Sequence, residues 1–306
     1  MSNYNTRNAS RQGGHEINYI SAIPQGDNVV DVVKTSFEPS CHIKRITKEL
    51  YLKGTYDKEG NFITDGEIHE VAGKESPMRN RRSLKRIFKE LRQLITHNYK
   101  GGTSELFVTL TYAQQTNDHK QVHNDFKNFW KRLKRTVPEV DLSYISIVEP
   151  HETGMFHIHL LLRANNFEYL FIPNELMAET WGLGFTQTER LEDVDNVGAY
   201  FIAYFSNLEI TDPDQIAKYE KAGDLEEKNG KKYIKGKRID FYPDGMQIHR
   251  HSRDIAKPEK LTGQAAAGLA SSLGQPSFAQ TKTIESTDIL GRPKEAYVTT
   301  EQYKRK

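Results

Sequence analysis

Two histidines separated by a single residue stand in an otherwise apolar run. His157 and His159 belong to the segment FHIHLLL, whose other members are Phe, Ile and Leu. In a β-strand, side chains alternate between the two faces, so both imidazoles point to the same side. Each buried imidazole nitrogen needs a partner. The pair therefore indicates a face that binds a metal ion or a phosphate, rather than satisfied core histidines.

A carboxylate is placed to join the two histidines. Glu149 ends the preceding strand candidate, and a short turn containing Thr153 and Gly154 follows. A hairpin there brings Glu149 across from the histidines as a third ligand, whereas His151 is expected to be a loop residue. Two imidazoles and one carboxylate, with open positions, suit Mg²⁺ or Mn²⁺ in phosphoryl transfer, and zinc would also fit.

Two tyrosines lie one helical turn apart further along the chain. Tyr200 and Tyr204 occur in VDNVGAYFIAYFS, where a spacing of four places them on one helix face. Phe201 and Phe205 in the same segment are expected to be core. A tyrosine hydroxyl that attacks a metal-polarised phosphate gives a covalent DNA–protein link and a free 3′-OH. Tyr200 and Tyr204 are therefore candidate nucleophiles.

Basic residues are concentrated in two stretches, although 43 basic and 41 acidic residues leave a net charge of only +2. A charged helix face contacts either solvent or a polyanion, and nucleic acid is the natural partner for two such faces. The candidate DNA-binding residues are Arg79, Arg81, Arg82, Lys85, Arg86, Lys131, Arg132, Lys134 and Arg135.

The elements that must position these residues follow from hydrophobic periodicity. Ser83 is a candidate N-cap for a first helix. The remaining predicted elements are a strand at 106–112, a helix at 121–136, strands at 144–149 and 156–162, a helix at 174–181, a strand at 185–190 and a helix at 196–208. This order predicts an α+β fold of the split βαβ plan, ferredoxin-like or RRM-like. Four antiparallel strands carry two helices on one face, with His-x-His on a central strand and an additional tyrosine-bearing helix.

Composition shifts along the chain predict its organisation. The expected parts are a flexible N-terminal arm at 1–30, a small β-rich lead-in at 31–78, an endonuclease domain at 79–210, a β-rich extension at 211–258 and a low-complexity tail at 259–306. Within the extension, the runs 239–242 and 246–248 are candidate strands, and the tail has room for a short helix.

Several classes of protein are disfavoured by composition. No run approaches the ~20 apolar residues of a membrane-spanning helix, and the N-terminus lacks the apolar stretch of a signal peptide, so a cytoplasmic location is expected. Cys41 is the only cysteine, which excludes an internal disulfide framework and a cysteine-based zinc site.

Three segments, in order, resemble the motifs of a known family. VTLTY, SIVEPHETGMFHIHLLLR and VDNVGAYFIAYFS are similar to the motifs of HUH rolling-circle replication initiators of the two-tyrosine type. The closest resemblance is to initiators encoded by plasmids, phages and mobile elements of Gram-positive bacteria. The flanking stretches RNRRSLKRIFKELRQLI, NDFKNFWKRLKR and FYPDGMQIHRHSRDIAKP are also similar to that group, so the resemblance extends over about 79–258.

The resemblance implies a role for each candidate residue. Glu149, His157 and His159 would hold the divalent ion. Tyr200 would nick the origin and keep the 5′-phosphate, and Tyr204 would carry out the second strand transfer. The implied partners are single-stranded or cruciform origin DNA, a host helicase and a host DNA polymerase, with no membrane.

The sequence departs from the family at one point and lacks a helicase motif. Many relatives carry a lysine just before the second tyrosine or three residues after it, where this chain has Ala203 and Asn207. Another group must then neutralise the phosphate. The chain has no G-x-x-x-x-G-K-[ST] loop, so the unwinding activity would come from the host.

Other functions share parts of this pattern. An HUH relaxase or a single-strand transposase has the same motifs and the same chemistry. A non-catalytic regulator would use an RRM-like sheet to bind nucleic acid, with Phe107 and Tyr112 as stacking residues. Histidine-triad hydrolases need a third alternating histidine where Leu161 stands, and two-histidine phosphoesterases need two separated His-x-Thr or His-x-Ser motifs.

Overall fold

The computed structural model describes residues 19–26, 29–36, 42–45, 50–56, 62–70, 81–114, 116–150, 155–191, 197–222, 225–228, 230–234, 236–243, 246–287 and 293–304. The chain divides into two compact units. One contains residues 1–75 and 258–306, and the other contains residues 76–257. No helix among the described residues is long and apolar enough to span a membrane.

The elements follow one another in chain order. The first described strands are β1 Tyr19–Gln25, β2 Val29–Thr35, β3 His42–Arg45, β4 Leu50–Tyr56 and β5 Phe62–Glu70. The middle of the chain forms α1 Arg81–Asn98, β6 Glu105–Leu110, α2 His119–Thr136, β7 Leu142–Pro150, β8 Phe156–Ala164, α3 Asn174–Trp181, β9 Thr186–Arg190 and α4 Val197–Ser206. The remaining elements are β10 Leu208–Ile210, α5 Pro213–Ala222, β11 Leu225–Lys228, β12 Lys231–Ile234, a 3₁₀ helix Arg238–Phe241, β13 His249–His251, β14 Leu261–Thr262, α6 Gly263–Ser272, β15 Phe278–Thr287 and β16 Pro293–Lys304.

The architecture is mixed α+β, with antiparallel sheets and, among the described residues, six α-helices. In the unit of residues 76–257, the largest sheet has the strand order β13-β7-β8-β6-β9, and every neighbouring pair is antiparallel. Helix α2 connects β6 to β7, and α3 connects β8 to β9. Each of these connections therefore passes over a strand that lies between the two it joins. Strand β13 adds a fifth strand beside β7, which the sequence pattern did not predict.

Helices lie on both faces of this sheet. Phe126 of α2 packs on Tyr144 at a ring distance of 5.1 Å, and Phe129 of α2 packs on Trp181 of α3 at 5.7 Å. On the other face, Phe201 of α4 lies 4.7 Å from the ring of Phe107. A single hydrophobic core joins both helix layers to the sheet.

The predicted helices match the structure more closely than their ends do. Helix α3 spans 174–181 as predicted, and α1 buries the expected apolar stripe of Leu84, Phe88, Leu91 and Ile95. Ser83 is not the N-cap of α1, because that helix already begins at Arg81. Helix α2 begins at His119 rather than 121, since the Asp118 side chain accepts a hydrogen bond from the Lys120 amide.

The expected β-rich extension belongs to the same unit and has a different local structure. Instead of a strand at 239–242, the chain forms a 3₁₀ helix that buries Ile239 and Tyr242, three residues apart. Instead of a strand at 246–248, Met246 and Ile248 are buried and the strand is His249–His251. Side chains three apart share a face in a 3₁₀ turn, so burial there opposed the strand pattern.

The two ends of the chain are paired in the other unit. Strand β1 lies inside the expected flexible arm, and α6, β15 and β16 lie inside the expected low-complexity tail. They form the sheet β14-β1-β2-β16-β15, in which β16 pairs with β2 from Val298↔Thr35 to Lys304↔Val29. This pairing joins segments that are far apart in the sequence, so local composition could not reveal it. Residues 1–18 lie outside the described part of the chain.

Gly198 allows the close approach of α4 to α1. A Cβ atom at this position would lie 2.2 Å from Thr96 Oγ1 and 2.4 Å from the Arg92 carbonyl oxygen. We expect Gly198→Ala to lower the free energy of unfolding by about 1–3 kcal/mol, since overpacking outweighs the gain in helix propensity of about 1 kcal/mol. Urea unfolding followed by circular dichroism measures this change.

The matched control is Gly268→Ala in α6, where no atom lies within 4 Å of the added Cβ. This variant should be as stable as the wild type or slightly more stable. A Gly198→Ala protein that unfolds at the wild-type urea concentration would contradict the tight contact between α1 and α4.

Candidate metal centre

The strand register brings the three predicted ligands together. In the antiparallel pairing of β7 with β8, Glu149 stands opposite His157 and Ile147 stands opposite His159. Directly paired residues share a face of the sheet, and residues two apart on one strand do so as well. The turn residues 151–154, including His151, lie outside the described residues.

Glu149, His157 and His159 form a group that could hold a metal ion. One ligand atom from each residue lies within 4.8 Å of the others. Glu149 and His159 are buried, and His157 is half-buried, so the group opens to solvent on the side of His157. Mg²⁺ and Zn²⁺ have ligand distances of about 2.0–2.2 Å, so three atoms at this separation can surround one ion. The mixed nitrogen and oxygen donors fit a divalent cation.

His159 is held on three sides. Its Nε2 contacts Glu149 Oε2, and Thr109 Oγ1 lies 3.2 Å from its Nδ1. The ring stacks on Phe107 at 5.5 Å with an interplanar angle of 6°. A threonine hydroxyl can either donate or accept, so Thr109 can support the imidazole whichever nitrogen carries the proton.

Burial keeps His159 in its neutral form. Removal from water lowers the pKa of His159 to about 3, because a buried imidazolium loses its hydration. A neutral imidazole retains the lone pair with which it binds a metal ion, so protonation does not compete for His159 at neutral pH.

Arg238 contacts the same carboxylate from the 3₁₀ helix. Its Nη1 forms an ion pair with Glu149 Oε1, while Oε2 faces His159. Burial lowers the pKa of Arg238, yet an arginine remains charged at neutral pH. The sequence analysis missed this residue, because it lies in a segment predicted as a strand and is remote in sequence from Glu149.

The tyrosine-bearing helix lies on the metal-ligand face. Phe205 of α4 packs against His159 at 5.0 Å, and both Phe201 and Phe205 are buried, as predicted. Tyr200 contacts Phe201 edge-on at 5.3 Å and keeps 43% of its surface exposed. The backbone of Tyr204 belongs to α4, but its side chain lies outside the described part, as does Asp195, the predicted start of the helix.

The predicted DNA-binding residues differ in their surroundings. Arg79 lies outside the described residues, as do the side chains of Arg81, Arg82 and Lys85. Arg86 is exposed, with Nε 3.8 Å from Glu90 Oε1. Exposed side chains on α2 include Lys131, Lys134 and Arg135.

Arg132 is also exposed but has a structural role that the sequence did not indicate. Its Nε and Nη2 donate to the carbonyl oxygens of Thr180 and Trp181 at 2.8 and 2.9 Å, which satisfies the C-terminal end of α3.

A family model for replication-associated proteins of the ORF2 type matches residues 105–209, about a third of the 306-residue chain. This segment contains all three ligands and both tyrosines. The chain is thus similar to replication-associated proteins over the part that carries the candidate site. No curated protein and no solved structure matches the chain.

Metal binding should stabilise the protein. We expect Mn²⁺ at about 100 times its dissociation constant to add about 2.7 kcal/mol to the free energy of unfolding. His157→Gln should lose this gain, because it removes a half-buried ligand with little change in the core. Thermal melting with Mn²⁺ and with EDTA measures the effect. His119→Gln on α2 is the matched control, and a gain in His157→Gln equal to that of the wild type would exclude His157 as a ligand.

Acid should destabilise the metal-free protein through its buried histidines. Burial lowers the pKa of His159 to about 3, and burial, with nearby His251 and Lys257, lowers the pKa of His249 to about 4. Both values lie below that of the unfolded chain, about 6.5, so this stability is present above pH 6.5 and is lost as the pH falls toward 4. We expect a loss on the order of 2 kcal/mol per histidine.

Urea unfolding in EDTA between pH 7.5 and 4.5 tests this dependence. The variant His249→Gln should show a shallower loss of stability with pH than the wild type. Equal slopes for the two proteins would exclude His249 as a source of the acid sensitivity.

Proposed function

We propose that this protein is a metal-dependent DNA endonuclease that nicks one strand to start rolling-circle replication, with Tyr200 as the nucleophile. The observation that carries the proposal is the group of Glu149, His157 and His159 packed against the helix that bears Tyr200. Similarity of residues 105–209 to replication-associated proteins supports the same conclusion.

The strand order supports an HUH arrangement. Two β-α-β connections interleave in β7-β8-β6-β9, which is the order expected of a split βαβ sheet. In this arrangement His157 and His159 lie on β8, an interior strand, and Glu149 lies on its neighbour β7. The tyrosine-bearing helix α4 lies over the same face.

The ion that fits the proposed reaction is Mg²⁺ or Mn²⁺. Glu149, His157 and His159 would hold it, leaving positions open for phosphate oxygens. When bound, such an ion polarises a phosphate oxygen and offsets the charge that develops during phosphoryl transfer.

Tyr200 is the proposed nucleophile because α4 presents it beside the metal face with much of its surface exposed. Its hydroxyl oxygen forms a bond to phosphorus as the bond from phosphorus to the 3′ oxygen breaks. The phenol proton passes to solvent, and the departing 3′ oxygen takes up a proton. The products are a 5′-phosphotyrosine and a free 3′-OH that can prime synthesis.

Tyr204 is the proposed nucleophile for the second strand transfer. It follows Tyr200 by one helical turn on α4, so one helix would carry both nucleophiles past the same ion. A second tyrosine permits the transfer that ends a replication round while the first still carries DNA.

Exposed basic residues on α2 are proposed to bind DNA away from the cleaved bond. Lys131, Lys134 and Arg135 lie on the helix that covers the face opposite the metal ligands. They would contact phosphates that flank the nick in single-stranded or cruciform origin DNA. A host helicase and a host DNA polymerase in the bacterial cytoplasm would complete the process.

Two alternatives are separated by different observations. The non-catalytic regulator requires aromatic residues free to stack on bases, but Tyr112 is buried with its hydroxyl on Asp125, and Phe107 packs under Phe201. A relaxase or single-strand transposase would use the same site, and it differs in the fate of the freed 3′ end. Extension of that end by a polymerase distinguishes a replication initiator from both.

The covalent intermediate provides the test. Incubation with single-stranded origin DNA and Mn²⁺ should give a DNA-linked peptide that contains Tyr200, identified by mass spectrometry. Tyr200→Phe should bind the DNA and form no adduct, because it lacks the attacking oxygen. Tyr169→Phe removes the hydroxyl of another exposed tyrosine and serves as the control. An undiminished adduct in Tyr200→Phe would assign the nucleophile to another residue.

A further inference from the structure

The carboxylate of Glu149 has a different partner on each oxygen. Oε2 faces His159 Nε2 and is the oxygen available to an ion shared with the histidines. Oε1 contacts Nη1 of Arg238. The orientation of the carboxylate is therefore fixed from the side away from the histidines, and Arg238 is the residue that fixes it.

Arg238 is itself held by the end of the tyrosine-bearing helix. Its Nε donates to the Asn207 carbonyl oxygen at 3.2 Å, directly after α4. The Asn207 side chain accepts from the Gly236 amide at 3.0 Å. One asparagine thus binds both the segment that carries Arg238 and the arginine itself.

The core secures the other side of Arg238. The neighbouring Ile239 and Tyr242 are buried, and the Tyr242 ring packs edge-on against Phe88 of α1 at 5.9 Å. The 3₁₀ helix is anchored at both residues, so the guanidinium stands on a rigid support. A rigid support allows a side chain to set the geometry of the group it contacts.

The charge of Arg238 has no substitute on α4. The segment VGAYFIAYFS contains neither lysine nor arginine. The ion pair joins side chains that are only 17% and 4% exposed. Such a buried pair adds little net stability, because desolvation offsets most of the attraction. A role in arranging the site accounts for its presence better than stability does.

We propose that Arg238 is a positioning residue that holds Glu149 with Oε2 toward the histidines and links this ligand to the end of the tyrosine-bearing helix. The inference rests on the metal site of the proposed function. Residues that orient metal ligands in this way change metal affinity by about 10–100-fold when they are replaced.

Mn²⁺ binding without DNA tests the inference, measured on the full chain by the electron paramagnetic resonance signal of free Mn²⁺. Arg238→Gln should raise the dissociation constant about 10–100-fold. Arg238→Lys should lie between Gln and the wild type, because one ammonium group cannot reproduce the planar fork that spans Glu149 and Asn207. Arg163→Gln is the matched control, since Arg163 also donates to a carbonyl oxygen and an asparagine side chain but contacts none of the ligands.

The outcomes separate this inference from the proposed function. A wild-type protein that binds no Mn²⁺ would overturn the metal site itself. A wild-type protein that binds Mn²⁺, with Arg238→Gln binding equally or more tightly, would overturn the positioning role alone. If circular dichroism shows that Arg238→Gln is unfolded, Arg238→Lys decides, and wild-type affinity in that variant would overturn the inference.

Discussion

The candidate site depends on the register between β7 and β8. Glu149 faces His157 in this pairing, and a shift of one residue would turn the carboxylate to the face that α2 covers. Both strands are interior, since β13 pairs with β7 and β6 pairs with β8. A slip would therefore break ladders on both sides and expose buried side chains. The sheet thus sets which groups meet before any ion binds.

Burial of a carboxylate imposes the second constraint. An ionised side chain away from water needs charged or hydrogen-bonding partners. His159 supplies a hydrogen bond but no charge, because burial lowers its pKa far below neutrality. Arg238 supplies the opposite charge from an element outside the sheet. The ligand group is therefore assembled from the protein's own contacts, with one carboxylate oxygen left facing the histidines.

The parts of the site that were predictable are those encoded locally. Alternation placed His157 and His159 on one face, and a short hairpin implied their partner Glu149. Arg238 gave no local signal, because its role comes from a contact across the fold. The same reason explains β16, which pairs with β2 near the other end of the chain. Residues 239–242 misled because burial three apart in a 3₁₀ turn resembles a short apolar strand.

The contacts around the site form a closed circuit. Phe205 of α4 packs on His159, His159 contacts Glu149, Glu149 pairs with Arg238, and Arg238 returns to Asn207 at the end of α4. Groups that share partners in this way do not contribute independently. Displacement of α4 from α1 therefore reaches the carboxylate by two routes, through the phenylalanine and through the arginine. The position of the tyrosine-bearing helix and the orientation of the metal ligand are consequently one property of the fold rather than two.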